Sequence, residues 1–158
     1  MKKKMSEKKP AEKSEKGQTK RLAVVRIRGI TGIKKDIKDT LNMLCLYHNN
    51  YCVVLDSRMF GMIRKVKDYV TWGEIDDETY RLLVEKRGED FKGRETDSKK
   101  KISYKKFIVI NNKKYKKYFR LSPPRGGFER KGIKTPFTKS GALGYRKEKI
   151  NDLIKRMV

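Results

Sequence analysis

The chain has 158 residues, a formal net charge of +24 and a pI near 10.1, with 39% charged and 36% hydrophobic residues. That length allows one domain or a domain with an elaboration, and self-repulsion on this scale opposes compaction unless a polyanion offsets it. A membrane partner is set aside, because no apolar run approaches the ~20 residues of a spanning helix and no signal-peptide pattern occurs; a cytoplasmic protein is expected, and Cys45 and Cys52 suit a reducing compartment.

Residues 1–21 carry nine Lys/Arg against three Glu, residues 22–76 nine against six acids, 77–98 five against seven and 99–158 twenty against three. The excess charge therefore belongs to the C-terminal third. Four segments follow: a basic tail at 1–21, a core domain at 22–76, a helix with a charged variable insertion at 77–117, and a basic extension with a terminal helix at 118–158. The tail is Lys, Glu and Ser with almost nothing apolar, and is expected to be disordered.

The core opens on Leu22-Ala-Val-Val-Arg-Ile-Arg28, whose alternation predicts a strand with Ala23, Val25 and Ile27 on a core face and Arg26 and Arg28 on a cationic one. Gly29-Ile-Thr-Gly32 breaks it, and Ile37, Leu41 and Leu44 then recur at helical spacing. Tyr51–Leu55 reads as a buried strand, Met59, Met62, Ile63 and Val66 as one face of a second helix, and Tyr69–Trp72 as a third strand. Two helices on one face of a small antiparallel three-stranded sheet is the economical α+β arrangement. Asp76 to Glu78 start a further helix that Gly88 ends. Residues 89–101 read as a loop, and Phe107–Ile110 is too short for periodicity to choose between helix and strand. Ile150, Leu153, Ile154 and Met157 place the last helix against the core.

Between these elements lies Ser122-Pro-Pro-Arg-Gly-Gly-Phe-Glu-Arg-Lys-Gly-Ile-Lys-Thr-Pro-Phe137, rich in proline, glycine and cations and poor in anything to bury. Such a segment is disordered or is ordered by contacts from outside the chain. Prolines stiffen it and glycines permit close approach. Arg125, Arg130, Lys131 and Lys134, with Lys139 just beyond, suit phosphates; Phe128 suits a stacked base or a core anchor. The Gly29–Gly32 loop, flanked by Arg28, Lys34 and Lys35, enters a helix and can offer backbone N–H groups to phosphate. It is not the loop of a KH domain, which joins two helices.

Metal binding is not indicated: Cys45, His48 and Cys52 are three ligands without the close Cys pair of a structural zinc site. Neither a catalytic nucleophile-base set nor a nucleotide fingerprint occurs, so neither enzyme nor cofactor is expected.

Arg28-Gly-Ile-Thr-Gly-Ile33, Val53-Val-Leu-Asp56, Gly61-Met-Ile-Arg-Lys-Val-Lys67 and Val70-Thr-Trp-Gly-Glu-Ile75 together resemble the universal large-subunit ribosomal protein family number thirty. Arg120–Lys134 and Gly141-Ala-Leu-Gly-Tyr-Arg146 resemble the C-terminal extension of its archaeal and eukaryotic form, and the short tail favours the archaeal one. The resemblance implies a ferredoxin-like β-α-β-α-β core, no catalysis, and a role binding 23S-type rRNA, with 5S rRNA and neighbouring ribosomal proteins as further candidate partners and no self-association. A ribosome-assembly or RNA-processing factor is the alternative. The residues expected to face RNA are Arg26, Arg28, Gly29, Gly32, Lys34 and Lys35 near the first loop; Arg58, Arg64 and Lys65 around the second helix; and Arg125, Gly126, Gly127, Phe128, Arg130, Lys131, Lys134, Lys139 and Arg146 in the extension. Residues 89–117 match no family pattern, and no contact is carried over to them.

Overall fold

The computed structural model describes residues 21–104 and 107–158; the expected disorder of residues 1–20 lies outside them. In chain order the elements are β1 (Arg21–Arg26), α1 (Lys35–Met43), β2 (Tyr51–Asp56), α2 (Phe60–Lys65), β3 (Val70–Glu74), α3 (Asp77–Arg87), β4 (Phe107–Ile110), β5 (Lys113–Lys116), β6 (Phe119–Arg120), β7 (Gly144–Tyr145) and α4 (Ile150–Met157). The first five are the β-α-β-α-β series the sequence predicts. The α+β architecture is compatible with a ferredoxin-like fold.

The sheet is larger than expected. Its order is β6-β2-β1-β3-β7, with β1 antiparallel to both β2 and β3, β6 antiparallel to β2, and β7 parallel to β3. Both outer strands are two residues long, too short to show any period in sequence, which is why three strands were expected instead of five.

Helices also cover both faces rather than one. Leu22 and Val24 pack with Leu41, Leu44, Ile63 and Val66, the apolar stripes of α1 and α2. Ala23, Val25 and Cys52 pack on the other side with Leu83 of α3, Phe119 and Ile150, Leu153, Ile154 and Met157 of α4. As the central strand, β1 thus has no solvent face, and the cationic face expected for it does not exist: Arg26 is 1% exposed. The four-residue apolar run Leu22–Val25 is the pattern of a strand buried on both sides.

Gly73 makes the second layer possible. A Cβ there would come within 2.1 Å of the Lys147 carbonyl and 2.9 Å of the Ile150 side chain, so the chain leading into α4 lies directly on the β3 backbone. Phe107–Ile110 is a strand, paired with β5 in a separate hairpin. Asn111 and Asn112 turn it at φ 49° and 61°, the doubly left-handed geometry of a two-residue hairpin turn, which asparagine tolerates.

Candidate nucleic-acid interface

Strand register sorts the candidate residues between the two ends of the sheet. Arg26 pairs with Val70, and Tyr51 with Arg120, at one end; Arg21 pairs with Asp56, and Leu22 with Glu74, at the other. The Gly29–Gly32 loop leaves the first end. The 66–69 turn joins it there, since the Ile27 and Arg28 N–H groups donate to the Tyr69 carbonyl at 2.9 and 3.2 Å. Arg28 lies over the Tyr69 ring and donates to the Asp68 carbonyl, which aims its guanidinium along the surface. Gly32 has φ +70° with open space around it, and Gly29 is likewise open, so neither is dictated by internal packing. Lys34 and Lys35 are exposed at the start of α1, which no side chain caps. Arg64 and Lys65, also exposed, end α2 beside the 66–69 turn. Arg58 follows Asp56 and so stands at the opposite end, apart from this group.

Two candidates are internal and cannot face RNA. The Arg26 guanidinium donates to the carbonyls of Leu46 (2.7 Å), Tyr47 (2.9 Å) and Arg28 (2.9 Å), tying the chain after α1 to the chain after β1. Arg146, 2% exposed, donates to Thr71 Oγ1, to the Ala142 carbonyl and, at 2.7 Å, to the Glu129 carboxylate, while stacking over Phe137. Burial pulls both guanidiniums below the ordinary arginine value, and at Arg146 the Glu129 carboxylate opposes the shift. Sequence shows that a residue carries charge but not whether the fold removes it from water.

The Ser122–Phe137 arm is held from inside the chain, contrary to the expectation that nothing within it could do so. Ser122 N–H donates to the Met157 carbonyl and Arg125 N–H to that of Arg156, so the arm starts on the end of α4. Arg156 in turn donates to the Gly127 carbonyl at 3.2 Å. Gly126, Gly127 and Gly132 take φ of +79°, +79° and +74°, a region costly for any residue with a Cβ. Phe128 packs against Ile27, Ala142 and Leu143, the anchoring role of the two weighed for it. Glu129 is clamped by Arg146, the Phe137 N–H donates to the Leu143 carbonyl at 2.7 Å, and the Leu143 N–H donates to the Thr135 carbonyl at 3.1 Å. With these anchors turned inward, Arg125, Arg130, Lys131, Lys134 and Lys139 remain exposed. The arm is a strap with its cations on the outside.

One further aromatic group lies outside the residues singled out above. Tyr51 and Tyr118 stack at 5.0 Å and 18°, Tyr47 meets Tyr118 edge-on at 5.7 Å, and His48 tilts against Tyr51. The available signal is Lys113–Arg120, where lysines interleave with Tyr115, Tyr118 and Phe119. Among the described residues no cluster of three or more His, Cys, Asp or Glu could hold a metal ion, and no helix is long and apolar enough to cross a membrane.

Residues 22–70 match the family described as Ribosomal protein L30p/L7e. A protein of Methanopyrus kandleri named "Large ribosomal subunit protein uL30" is 42% identical over 149 residues, spanning 84% of this chain and 100% of its own length. Proteins of the same name from Methanococcus maripaludis and Nanoarchaeum equitans are 44% and 40% identical, over 86% of this chain and 98% and 97% of theirs. The similarity thus includes the extension as well as the core.

Proposed function

We propose, from the premise that the chain belongs to the Ribosomal protein L30p/L7e family, that it is a structural constituent of the large ribosomal subunit whose exposed cations hold 23S-type rRNA. The observation that carries this reading is the strap: Phe128, Phe137 and Glu129 are spent on internal anchors while its arginines and lysines are exposed, an arrangement with no internal purpose for the charge. Preordering lowers the entropy lost on binding, and phosphate contacts by such side chains set position without reading sequence. The loop end of the sheet, with Arg28, Lys34, Lys35, Arg64 and Lys65, supplies a second set. 5S rRNA and neighbouring ribosomal proteins are further partners in this reading.

The test is retention. One copy per large subunit after a high-salt gradient is the expected result; a factor that assembles or processes pre-rRNA and then departs would be absent from the mature particle. For the free protein, ~6–10 phosphate contacts imply that rRNA affinity falls roughly 10³- to 10⁵-fold between about 50 and 200 mM salt, taking duplex slopes as a generous bound. A flat salt dependence would overturn the polyanion reading.

A further inference from the structure

Where the Cys45–Tyr51 segment faces the chain around Phe91 and the end of β5, a cleft of about 340 Å³ opens to solvent. Tyr47, Phe91 and Tyr118 provide its aromatic walls, and Lys92, Lys116 and Lys117 stand among its lining residues. Tyr118 is backed by Tyr51 in a near-parallel stack, and Tyr47 stands perpendicular to it, so the two rings form a rigid right-angled corner. Aromatic clusters that only fill a core are sealed from water, whereas here Tyr47 is 39% exposed.

The charges around the corner narrow what could enter. Lys116 and Arg120 share the single carboxylate of Glu89, at 2.7 and 2.8 Å, and Lys92 and Lys117 add two more cations. Among the described residues three lysines and no carboxylate line the cleft, which favours an occupant that is flat, apolar on its faces and anionic at its margins. A hydrophobic side chain from another protein satisfies the rings and leaves the lysines unmatched. The space lies at the low end of small-molecule sites, roughly 300–1,000 Å³, and is far too small for paired strands.

Resting on the reading above that the chain binds large-subunit rRNA, we propose that this cleft receives one unpaired rRNA base, stacked on the Tyr47–Tyr118 corner with its flanking phosphates on Lys92 and Lys117. Every base has a π-face, so stacking of this kind is tolerant of base identity and selects instead for a nucleotide free of its duplex. Arg26 serves the site at one remove, as a positioning residue: its bonds to the Leu46 and Tyr47 carbonyls fix the backbone that carries the Tyr47 ring.

The cleft contains its own reporter. Cys45 lines it, while the other thiol, Cys52, is fully buried and pushed up to about 12 by that burial, leaving Cys45 as the alkylation site. The experiment uses the full chain with deproteinised large-subunit rRNA, reading iodoacetamide labelling of Cys45, ultraviolet crosslinks mapped to peptides, and affinity. Expected are protection of Cys45 in the complex, crosslinks from Tyr47 or Tyr118 to an unpaired nucleotide, and affinity lower by about 5- to 150-fold for Tyr47→Ala, the range for losing one stacked base. If Tyr47→Ala melts early, Lys92→Gln replaces it, with a smaller loss expected and the parent's crosslinks unaffected. Salt-sensitive rRNA binding by the parent with Cys45 still labelled and no crosslink in the cleft overturns the base site and leaves the rRNA reading standing. Failure of the parent to bind rRNA removes that reading and the base site with it. Protection of Cys45 in the intact subunit but not with rRNA alone assigns the cleft to a neighbouring protein and overturns the proposal.

Discussion

Two guanidiniums are buried at the same end of the sheet, on opposite faces, and the fold treats them differently. Arg146 is neutralised: Glu129 meets it at 2.7 Å, and Thr71 and the Ala142 carbonyl take its other donors. Among the described residues Arg26 meets three backbone carbonyls and no carboxylate, and one of its terminal nitrogens has no partner. The Arg146 corner spends its charge on fastening the strap, since Glu129 belongs to the arm. The Arg26 corner fastens loops and leaves its charge uncancelled at the end of the sheet where Arg28 and the Gly29–Gly32 loop emerge.

Breaking the neutralised corner carries the largest expected effect. Arg146→Met removes the charge-assisted bond to Glu129, whose carboxylate is left open to water, and leaves Thr71 Oγ1 and the Ala142 carbonyl without their buried donor, together about 2–4 kcal/mol; a urea melt should show it, with amide exchange across residues 126–143 accelerating more than exchange in β1. Unchanged exchange in the arm would mean that Arg146 does not hold the strap. Arg26→Met, of similar length, should cost less, about 1–3 kcal/mol for carbonyls left unmet, since the buried positive charge disappears with the donors. A loss as large as that of Arg146→Met would erase the distinction between the corners. Glu129→Gln keeps an acceptor for Arg146 and removes the charge, so about 1 kcal/mol is expected, the difference between a charge-assisted and a neutral hydrogen bond.

Outside both corners, replacing Arg125, Arg130 and Lys134 by Ala should leave the free protein's melting temperature close to that of the parent. The slope of log affinity for rRNA against log salt should shrink by about 2, at roughly 0.7 for each lost single-strand phosphate contact. A lower melting temperature with unchanged binding would make the arm a purely internal strap. The smallest effect is one of pH. The hydrogen bond from Lys116, with Arg120 adding to it, holds the Glu89 carboxyl below its ordinary 4.5. A carboxyl lowered by folding contributes stability above its unfolded value and loses it as pH falls through the folded one. Glu89→Gln should therefore lower the melting temperature slightly at pH about 7 and not at pH about 3, by an amount reduced by solvent screening.

The elements between Leu22 and Trp72 were legible because each writes a period into the chain: a continuous apolar run in β2, and helical spacing in α1 and α2. The docking of α4 was legible for the same reason, its four apolar residues being wholly buried. What escaped is non-local. Nothing within Leu22–Val25 says that a helix about 130 residues away covers one side of it, and the alternation of Arg26 and Arg28 points toward a solvent face that this helix, with α1 and α2 opposite, eliminates. In the arm, Glu129 looks like one more charge in a charged stretch until the fold brings Arg146 to it. The exposed members of the candidate site follow from composition; the buried ones required their partners to be seen.

The close fit of α4 against the sheet bears on how the chain is made. Synthesis is vectorial, and Ala23, Val25 and Cys52 emerge on the order of a hundred residues before the Ile150–Met157 helix that shields them. At roughly 5–20 residues per second, that apolar surface has only the partners that Leu83 and Phe119 supply, without α4, for roughly 5–20 s in every round of translation. A nascent chain in this interval is half a sandwich, exposed to chaperones and to other nascent copies, and any change that slows the elongating ribosome between β3 and α4 lengthens its exposure without altering a single contact of the finished protein.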